Sequence, residues 1–262
     1  VNLKNRLIYL GIDTNNDGNI QDTEAQSYSS ILNLNNAYIT NLTGVESFTN
    51  VAILTCKSNN IPSINLSNMP NLKSLDAGQN TSLTTIQVSN IALDSLKVNE
   101  SNITALDLSN FTSLKYLDCS YNHLSSLNVT NLANLKDLNC GANNLTNLDV
   151  SQCTQLEYLN FSNNQLSVIN LSNNLILKEL DISNNLFNAS IPISNLPLLE
   201  KLNCINNHAV LFTMNNLPNL KELLAGGNNV STVVDVTMFP LLEHLSVAGN
   251  HITGLNIAGL QH

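Results

Sequence analysis

Apolar residues recur along this chain at a fixed interval. Leu93, Leu114, Leu135, Leu156 and Leu177 stand 21 residues apart, each opening an L-x-x-L-x-x stretch. The frame runs back to Leu72 and Val51 and, with two one-residue insertions, forward to Leu199, Leu220 and Leu242. A less regular unit begins near Ser29. Self-similarity at such an interval marks a repeat architecture, in which no unit buries its apolar side alone.

The clearest unit is LKYLDCSYNHLSSLNVTNLAN, residues 114–134. Leu117 and Cys119 flank polar Asp118, which is the two-residue period of a strand. Leu127 and Val129 flank Asn128 in the same way and predict a second short extended segment per coil. Each coil then has two flat sides joined by two corners. Stacking at about 4.8 Å pairs the strands in parallel and closes a continuous core. About ten units and a truncated last one cover residues 29–262, and residues 1–28 form a separate helical cap.

Composition sharpens this picture. Charged residues make up 11 %, so Asn, with Ser and Thr, must keep the surface wet. Asn fills roughly one residue in five, which points to one structural slot used many times. That slot holds Asn59, Asn80, Asn122, Asn143, Asn164, Asn185, Asn207, Asn228 and Asn250, with Ser101 the exception. An inward amide there can donate to and accept from neighbouring coils where the chain leaves the strand. A second Ser-Asn or Thr-Asn corner recurs at residues 67–68, 89–90, 109–110, 130–131, 172–173 and 194–195. Cys56, Cys119, Cys140 and Cys204 share an inward strand position and Cys153 a corner core position, so all five read as small buried hydrophobes. The N-x-[ST] sequons, such as Asn41, Asn102, Asn128 and Asn144, follow from an Asn/Ser/Thr-rich repeat.

Net charge is −9, which disfavours nucleic acid and anionic membrane surfaces. No run of about 20 apolar residues is present to span a bilayer. The chain opens VNLKNRLIYL, without an apolar targeting stretch or initiator Met, and ends at GLQH, which reads as a mature or trimmed fragment.

Residues 13–24 read DTNNDGNIQDTE. Asp13, Asn15 and Asp17 fill positions one, three and five of an EF-hand loop, Gly18 the turn, Asn19 the carbonyl position and Glu24 position twelve. Such spacing delivers converging oxygens to calcium, whose role here would be structural, pinning the cap. Leu3, Leu7 and Leu10 predict an incoming helix; AQSYSS leaves little room for a full exiting one.

The outward strand positions form two rows. The upstream row includes Tyr116, Asp137, Tyr158, Glu179 and Lys201; the middle row includes Asp118, Asn139, Asn160 and Asp181. Tyr116, Asp118, Asp137, Tyr158, Glu179 and Asp181 set two aromatics among carboxylates, a candidate patch for a basic or polar partner. His123, His208 and His251 share one outward offset many coils apart and form no metal cluster. No nucleophile elbow, phosphate loop or HExxH is present, so binding rather than catalysis is expected.

The unit pattern LxxLxLxxNxLxxLDLSxxxx, with Cys often in place of the third Leu, resembles the 21-residue bacterial leucine-rich repeats. Cysteine-ladder internalins and secreted Bacteroidetes proteins are nearest in pattern. Residues 31–54 resemble the 22-residue internalin-type unit that opens such arrays. The resemblance implies an α/β-type solenoid, a right-handed superhelix with a parallel β-sheet on one face. It also implies a secreted or cell-surface, monomeric binding module for a protein on another cell or host. A glycan-binding face and an adhesive spacer remain the alternatives.

Overall fold

The computed structural model describes residues 2–88 and 92–258. The expected Ser89-Asn90 corner lies outside the described residues. The chain divides into two units, Val1–Leu124 and Ser125–His262.

The first unit begins with helices α1 (Asn2–Tyr9) and α2 (Asp22–Ser27). Strands Leu32–Asn33, Ile53–Thr55, Ser74–Asp76, Ser95–Lys97 and Tyr116–Asp118 follow, each paired in parallel with the next. The register steps one repeat at a time, Leu54 facing Leu75 and Leu96 facing Leu117. On the other side, Ser63–Asn65 pairs with Thr85–Gln87.

The second unit repeats the plan. Strands Asp137–Asn139, Tyr158–Asn160, Glu179–Asp181, Lys201–Asn203, Glu222–Leu224 and His244–Ser246 form its parallel sheet. Ser190–Ile191 pairs with Leu211–Phe212, and Val233–Asp235 with Gly254–Asn256. The second extended segment is thus confined to some coils. Residues 123–129, 144–150 and 165–171 keep its apolar spacing without strand pairing.

Inside each unit the repeated Leu positions are buried: Leu54, Leu75 and Leu96 in the first, Leu138, Leu159 and Leu223 in the second. Each such side chain contributes about 1.5–3 kcal/mol on burial. All five Cys are buried, and none is in a disulfide. Burial raises the Cys56 thiol to about 12 and the Cys153 thiol to about 11, so both stay protonated and inert.

The asparagine slot is an amide ladder. Asn185 Nδ2 donates to Ile182 O in its own coil and Phe161 O in the preceding one, at 3.2 and 3.0 Å. Its Oδ1 accepts the Leu166 N–H at 2.9 Å. Asn164 and Asn228 repeat all three bonds in the second unit, and Asn80 and Asn122 in the first. Ser101 breaks the series for a local reason. The preceding coil carries an extra residue between Asn80 and Leu83, and Leu83 N–H turns back onto Asn80 O at 2.8 Å. That coil offers no Leu83 amide to a ladder side chain at position 101.

The residue just before each ladder position is left-handed. Ser58, Gln79, Glu100 and Tyr121 in the first unit have φ of 52–58°, and Ala142, Asn163, Asn184 and Asn206 in the second have 52–55°. Gly227 and Gly249 fill the same slot without strain. Side chains at this slot link neighbouring coils: Ser58 Oγ donates to Gln79 Oε1 at 2.7 Å, and Asn206 Nδ2 to Asn184 Oδ1 at 3.0 Å.

A short polar turn closes each flat side. At the second corner, Asn41, Asn128 and Asn170 Oδ1 accept the N–H two residues on, from Thr43, Thr130 and Ser172. The N-x-[ST] pattern is therefore a turn motif at these positions. Asp107, Asp149 and Asp235 make the same bond to Ser109, Ser151 and Thr237. Those backbone and hydroxyl donors hold all three carboxyls below the ordinary aspartate range.

The cap is tied to the first coils. Arg6 Nε donates to Asn33 O at 3.0 Å, Asn50 Nδ2 to Gln26 O at 2.7 Å, and Ser47 Oγ to Asp22 Oδ1 at 3.0 Å. Tyr28 meets Phe48 edge-on with centroids 6.1 Å apart. Leu7, Ile12 and Ala25 are buried beneath. The exiting helix is as short as expected, six residues.

Two outcomes follow. Asn185→Ala strands the buried Leu166 N–H and leaves three carbonyls a bond short, at a cost of about 1–3 kcal/mol, read as a lowered urea midpoint. The second concerns acid. Because the folded pKa values of Asp107, Asp149 and Asp235 are depressed, their stabilisation is present at neutral pH. It is lost as pH falls from about 4 through those lower values. The triple Asp→Asn variant keeps the turns, as Asn65 and Asn128 do, and flattens the acid side of the stability–pH curve.

Candidate functional site

The sheet positions the expected patch residues on strands, and the two units carry separate parts of it. Tyr116 and Asp118 stand on the last strand of the first unit, beside Ser95 and Lys97. Tyr116 is 46 % exposed. Asp137, Tyr158, Glu179 and Asp181 lie on the second unit. There Asp137, Tyr158, Glu179, Lys201 and Glu222 follow in register along the upstream row.

The middle row is more structural than its outward position suggests. Asp118 Oδ1 accepts from the Ser120 N–H at 3.1 Å and the Ser120 hydroxyl at 2.6 Å. Asp181 Oδ1 does the same with Ser183, at 2.9 and 2.6 Å. Asp76, Asn139, Asn160 and Asn203 each accept the N–H two residues on. These side chains end the strand and steer the chain into the left-handed corner.

On the second unit the patch is concave. Tyr158, Glu179, Asp181, Lys201, Asn203 and Glu222 line a shallow hollow of about 210 Å³, floored by Leu180 and Leu202. Lys201 Nζ lies 3.0 Å from Glu179 Oε1, and Asn203 Nδ2 donates to Asp181 Oδ2 at 3.0 Å. Tyr158 is half-buried, and burial, then the Asp137, Asp181 and Glu179 carboxylates, push its hydroxyl pKa up against a lowering contact from Asn160. Lys201, Asn203, Glu222 and the apolar Leu224 complete the hollow and were not singled out by sequence.

A charge ladder flanks this sheet one residue upstream of the strands. In the second unit it reads Lys136, Glu157, Lys178, Glu200, Lys221, Glu243. Glu157 lies 2.7 Å from Lys178 and 3.8 Å from Lys136, and Glu200 2.8 Å from Lys221. Lys178, then Lys136, holds Glu157 below the usual carboxylate range, and Lys221 with Lys178 does so for Glu200. The first unit shows the same alternation in Lys73, Asp94 and Lys115, with Lys115 and Asp94 at 3.1 Å. The alternation is legible only once the 21-residue frame is read at this one position.

The N-terminal loop folds on itself. Asp13 Oδ1 and Oδ2 accept the Asp17 and Gly18 N–H groups, Asn15 Oδ1 the Asp17 N–H, and Asp17 Oδ1 the Asn19 N–H. Glu24 Oε1 accepts from Thr14 N–H at 2.7 Å and its hydroxyl at 2.9 Å, and Oε2 from Gln21 N–H, completing the capping box of α2. Asp13 and Glu24 are 8 % and 7 % exposed. The Gln21 N–H, then the Thr14 hydroxyl and the Thr14 and Asn15 amides, hold Glu24 below the ordinary range despite that burial. Among the described residues no three His, Cys, Asp or Glu side chains are drawn together as a metal cluster. His123 Nε2 lies 3.2 Å from Asn102 Oδ1 and stays outward.

Parallel coils of 21 residues, inward leucines and an amide ladder define a leucine-rich-repeat solenoid, and this chain is one. A family model described as the LRR domain of the endo-beta-N-acetylglucosaminidase EndoS matches residues 18–122. Among curated proteins none matches. The chain is similar to YopM, a leucine-rich effector protein from Yersinia pestis. Identity is 31 %, coverage 78 % of this chain and 57 % of YopM, and TM-score 0.66. It is also similar to the functional domain of InlJ from Listeria monocytogenes, which includes a cysteine ladder. Identity is 25 %, coverage 89 % of this chain and 66 % of that domain, and TM-score 0.53. The internalin InlF from the same species, at 18 % identity, shares the fold over 99 % of this chain and 93 % of its own, with a TM-score of 0.51. The chain thus spans slightly under two thirds of the InlJ domain and less of YopM. The internalin-like fold supports a protein-interaction module.

The flanking ladder gives one expected outcome. Glu157→Lys sets three lysines in succession and lowers the melting midpoint at low salt. The loss shrinks in 1 M NaCl, where the screening length falls to about 3 Å.

Proposed function

We propose that this chain is the recognition module of an exported or surface-displayed protein, binding a protein partner through the strand face around Tyr158. The hollow formed by Tyr158, Glu179, Asp181, Lys201, Asn203 and Glu222 carries the reading. It puts a half-buried aromatic and exposed polar groups on a rigid sheet, the composition of an interface anchor. It is too shallow to enclose a reacting molecule, which favours binding over catalysis. A glycan partner is the second reading. It is favoured by the match to the repeat domain of a glycan-cleaving enzyme and by a Tyr among carboxylate and amide groups suited to sugar hydroxyls.

Parallel arrays of surface proteins and glycans separate the two. The wild type should bind on the protein array, and Tyr158→Ser with Asp181→Asn should abolish that binding. Val168→Ser, at an exposed site away from the strands, should leave it intact. Binding confined to the glycan array selects the second reading. Loss in the Val168 variant alone moves the site to the other face.

The N-terminal loop is proposed to hold a structural calcium through Asp13, Asn15, Asp17, the Asn19 carbonyl and Glu24. Two nearly buried carboxylates, Asp13 and Glu24, form no ion pair among the described residues. Asp13 Oδ1 and Oδ2, Asn15 Oδ1, Asp17 Oδ1 and Glu24 Oε2 each accept one N–H and keep a second lone pair for a hard cation, whereas Glu24 Oε1 takes three donors and would have to release one or more to bind it. The carboxylates must draw closer on binding, which would clamp α1 and α2 over the first coil. Millimolar calcium should raise stability by roughly 1–2 kcal/mol. Asp17→Asn, which preserves the turn to Asn19, should weaken that gain. An equal midpoint in calcium and in chelator, with no calorimetric heat, excludes the site.

A further inference from the structure

Resting on the reading of the strand face as a docking surface, we propose that the hollow beside Tyr158 seats a guanidinium side chain of the partner, held over the Tyr158 ring between carboxylates. The second unit contains four lysines, Lys136, Lys178, Lys201 and Lys221. Three of them belong to the flanking ladder, where Glu157, Glu200 and Glu243 alternate with them. The ladder is therefore neutral in itself.

The strand rows are not. Among the described residues lining the hollow, Glu179, Asp181 and Glu222 face a single ammonium, Lys201. Glu179 stands between Tyr158 and Lys201 in register and already holds Lys201 Nζ at 3.0 Å. The surplus negative charge thus lies beside Tyr158, with Glu179 on the neighbouring strand and Asp181 diagonal to it. Asp181 Oδ1 is committed to its own turn, while Oδ2 takes only the neutral Asn203 amide.

The hollow of about 210 Å³ admits a side chain rather than a segment of backbone. A planar cation stacks on an aromatic face and donates in a fork to flanking carboxylates, which favours arginine over lysine. A neutral sugar would satisfy the hydroxyl-binding groups and leave the charge surplus unmatched. Electrostatic complementarity of this kind selects a partner and speeds encounter more than it adds affinity.

The test uses the whole chain and three blocked tripeptides, Gly-Arg-Gly, Gly-Lys-Gly and Gly-citrulline-Gly, titrated against amide chemical shifts. Citrulline keeps the shape and removes the charge. The arginine peptide should give saturable shifts at residues 158–160, 179–181 and 201–203. The citrulline peptide should bind about tenfold or more weakly. Tyr158→Ser and Asp181→Asn should each remove most of the arginine response. Both are conservative for the fold, since Ser74 and Ser95 fill the Tyr158 row and Asn160 and Asn203 the Asp181 row. Equal binding of arginine and citrulline, shifts located elsewhere, or a response indifferent to both variants overturns the proposal. If Tyr158→Ser abolishes protein-array binding while the arginine peptide stays silent, the cation seat is wrong and the docking face stands. If array binding ignores Tyr158→Ser and the peptide is silent, both fall.

Discussion

Each time the chain leaves a strand it must turn inward, carrying backbone groups that no strand can pair. Buried amides and carbonyls without partners would each cost about 1–3 kcal/mol, of the same order as burying one core leucine. An inward Asn removes the conflict with one side chain. Asn164, for instance, donates to Cys140 O and Phe161 O and accepts from Leu145 N–H, binding a coil to the one before it. Other features follow from this constraint. The preceding residue becomes left-handed to present the amide, and the strand-ending Asp or Asn caps the turn that leads there. The unusual Asn content is the outcome.

That same economy limits what the surface can offer a partner. Polar groups on the strand face look available in sequence, yet many complete turns. Asp118 and Asp181 both hold serine donors two residues on. Lysines are drawn into a neutral ladder upstream of the strands. What remains distinctive on the second unit is Tyr158 among carboxylates in a hollow, and the functional proposal rests there.

The repeat frame, the parallel strands, the inward Leu and Cys rows and the ladder were legible because each depends on residue type at a fixed offset. The left-handed slot was not, since Ser, Gln, Glu, Tyr and Ala occupy it as well as Asn and Gly; backbone geometry there is imposed by its neighbours. Nor was the confinement of the second extended segment to some coils, because paired and unpaired segments share one apolar spacing. The reason for Ser101 lay in a single extra residue twenty positions earlier. Of the residues lining the hollow, Tyr158, Glu179 and Asp181 were grouped from sequence by their row. Lys201, Asn203 and Glu222 were left out of that group, since their part in the hollow is set by packing across four coils. The EF-hand-like spacing of the N-terminal loop was legible, while the dense web of turns among its side chains was not.

Hydrogen exchange at individual amides tests the ladder most directly. The N–H groups of Ile61, Ile103, Leu145, Leu166 and Ala209 lie in corners, outside any strand, and donate only to a ladder Asn. If the amide ladder joins the coils, these protons exchange as slowly as those of Leu159 and Leu180 in strand centres. Exchange as fast as that of exposed Gln155, with the strand amides still protected, would contradict the account.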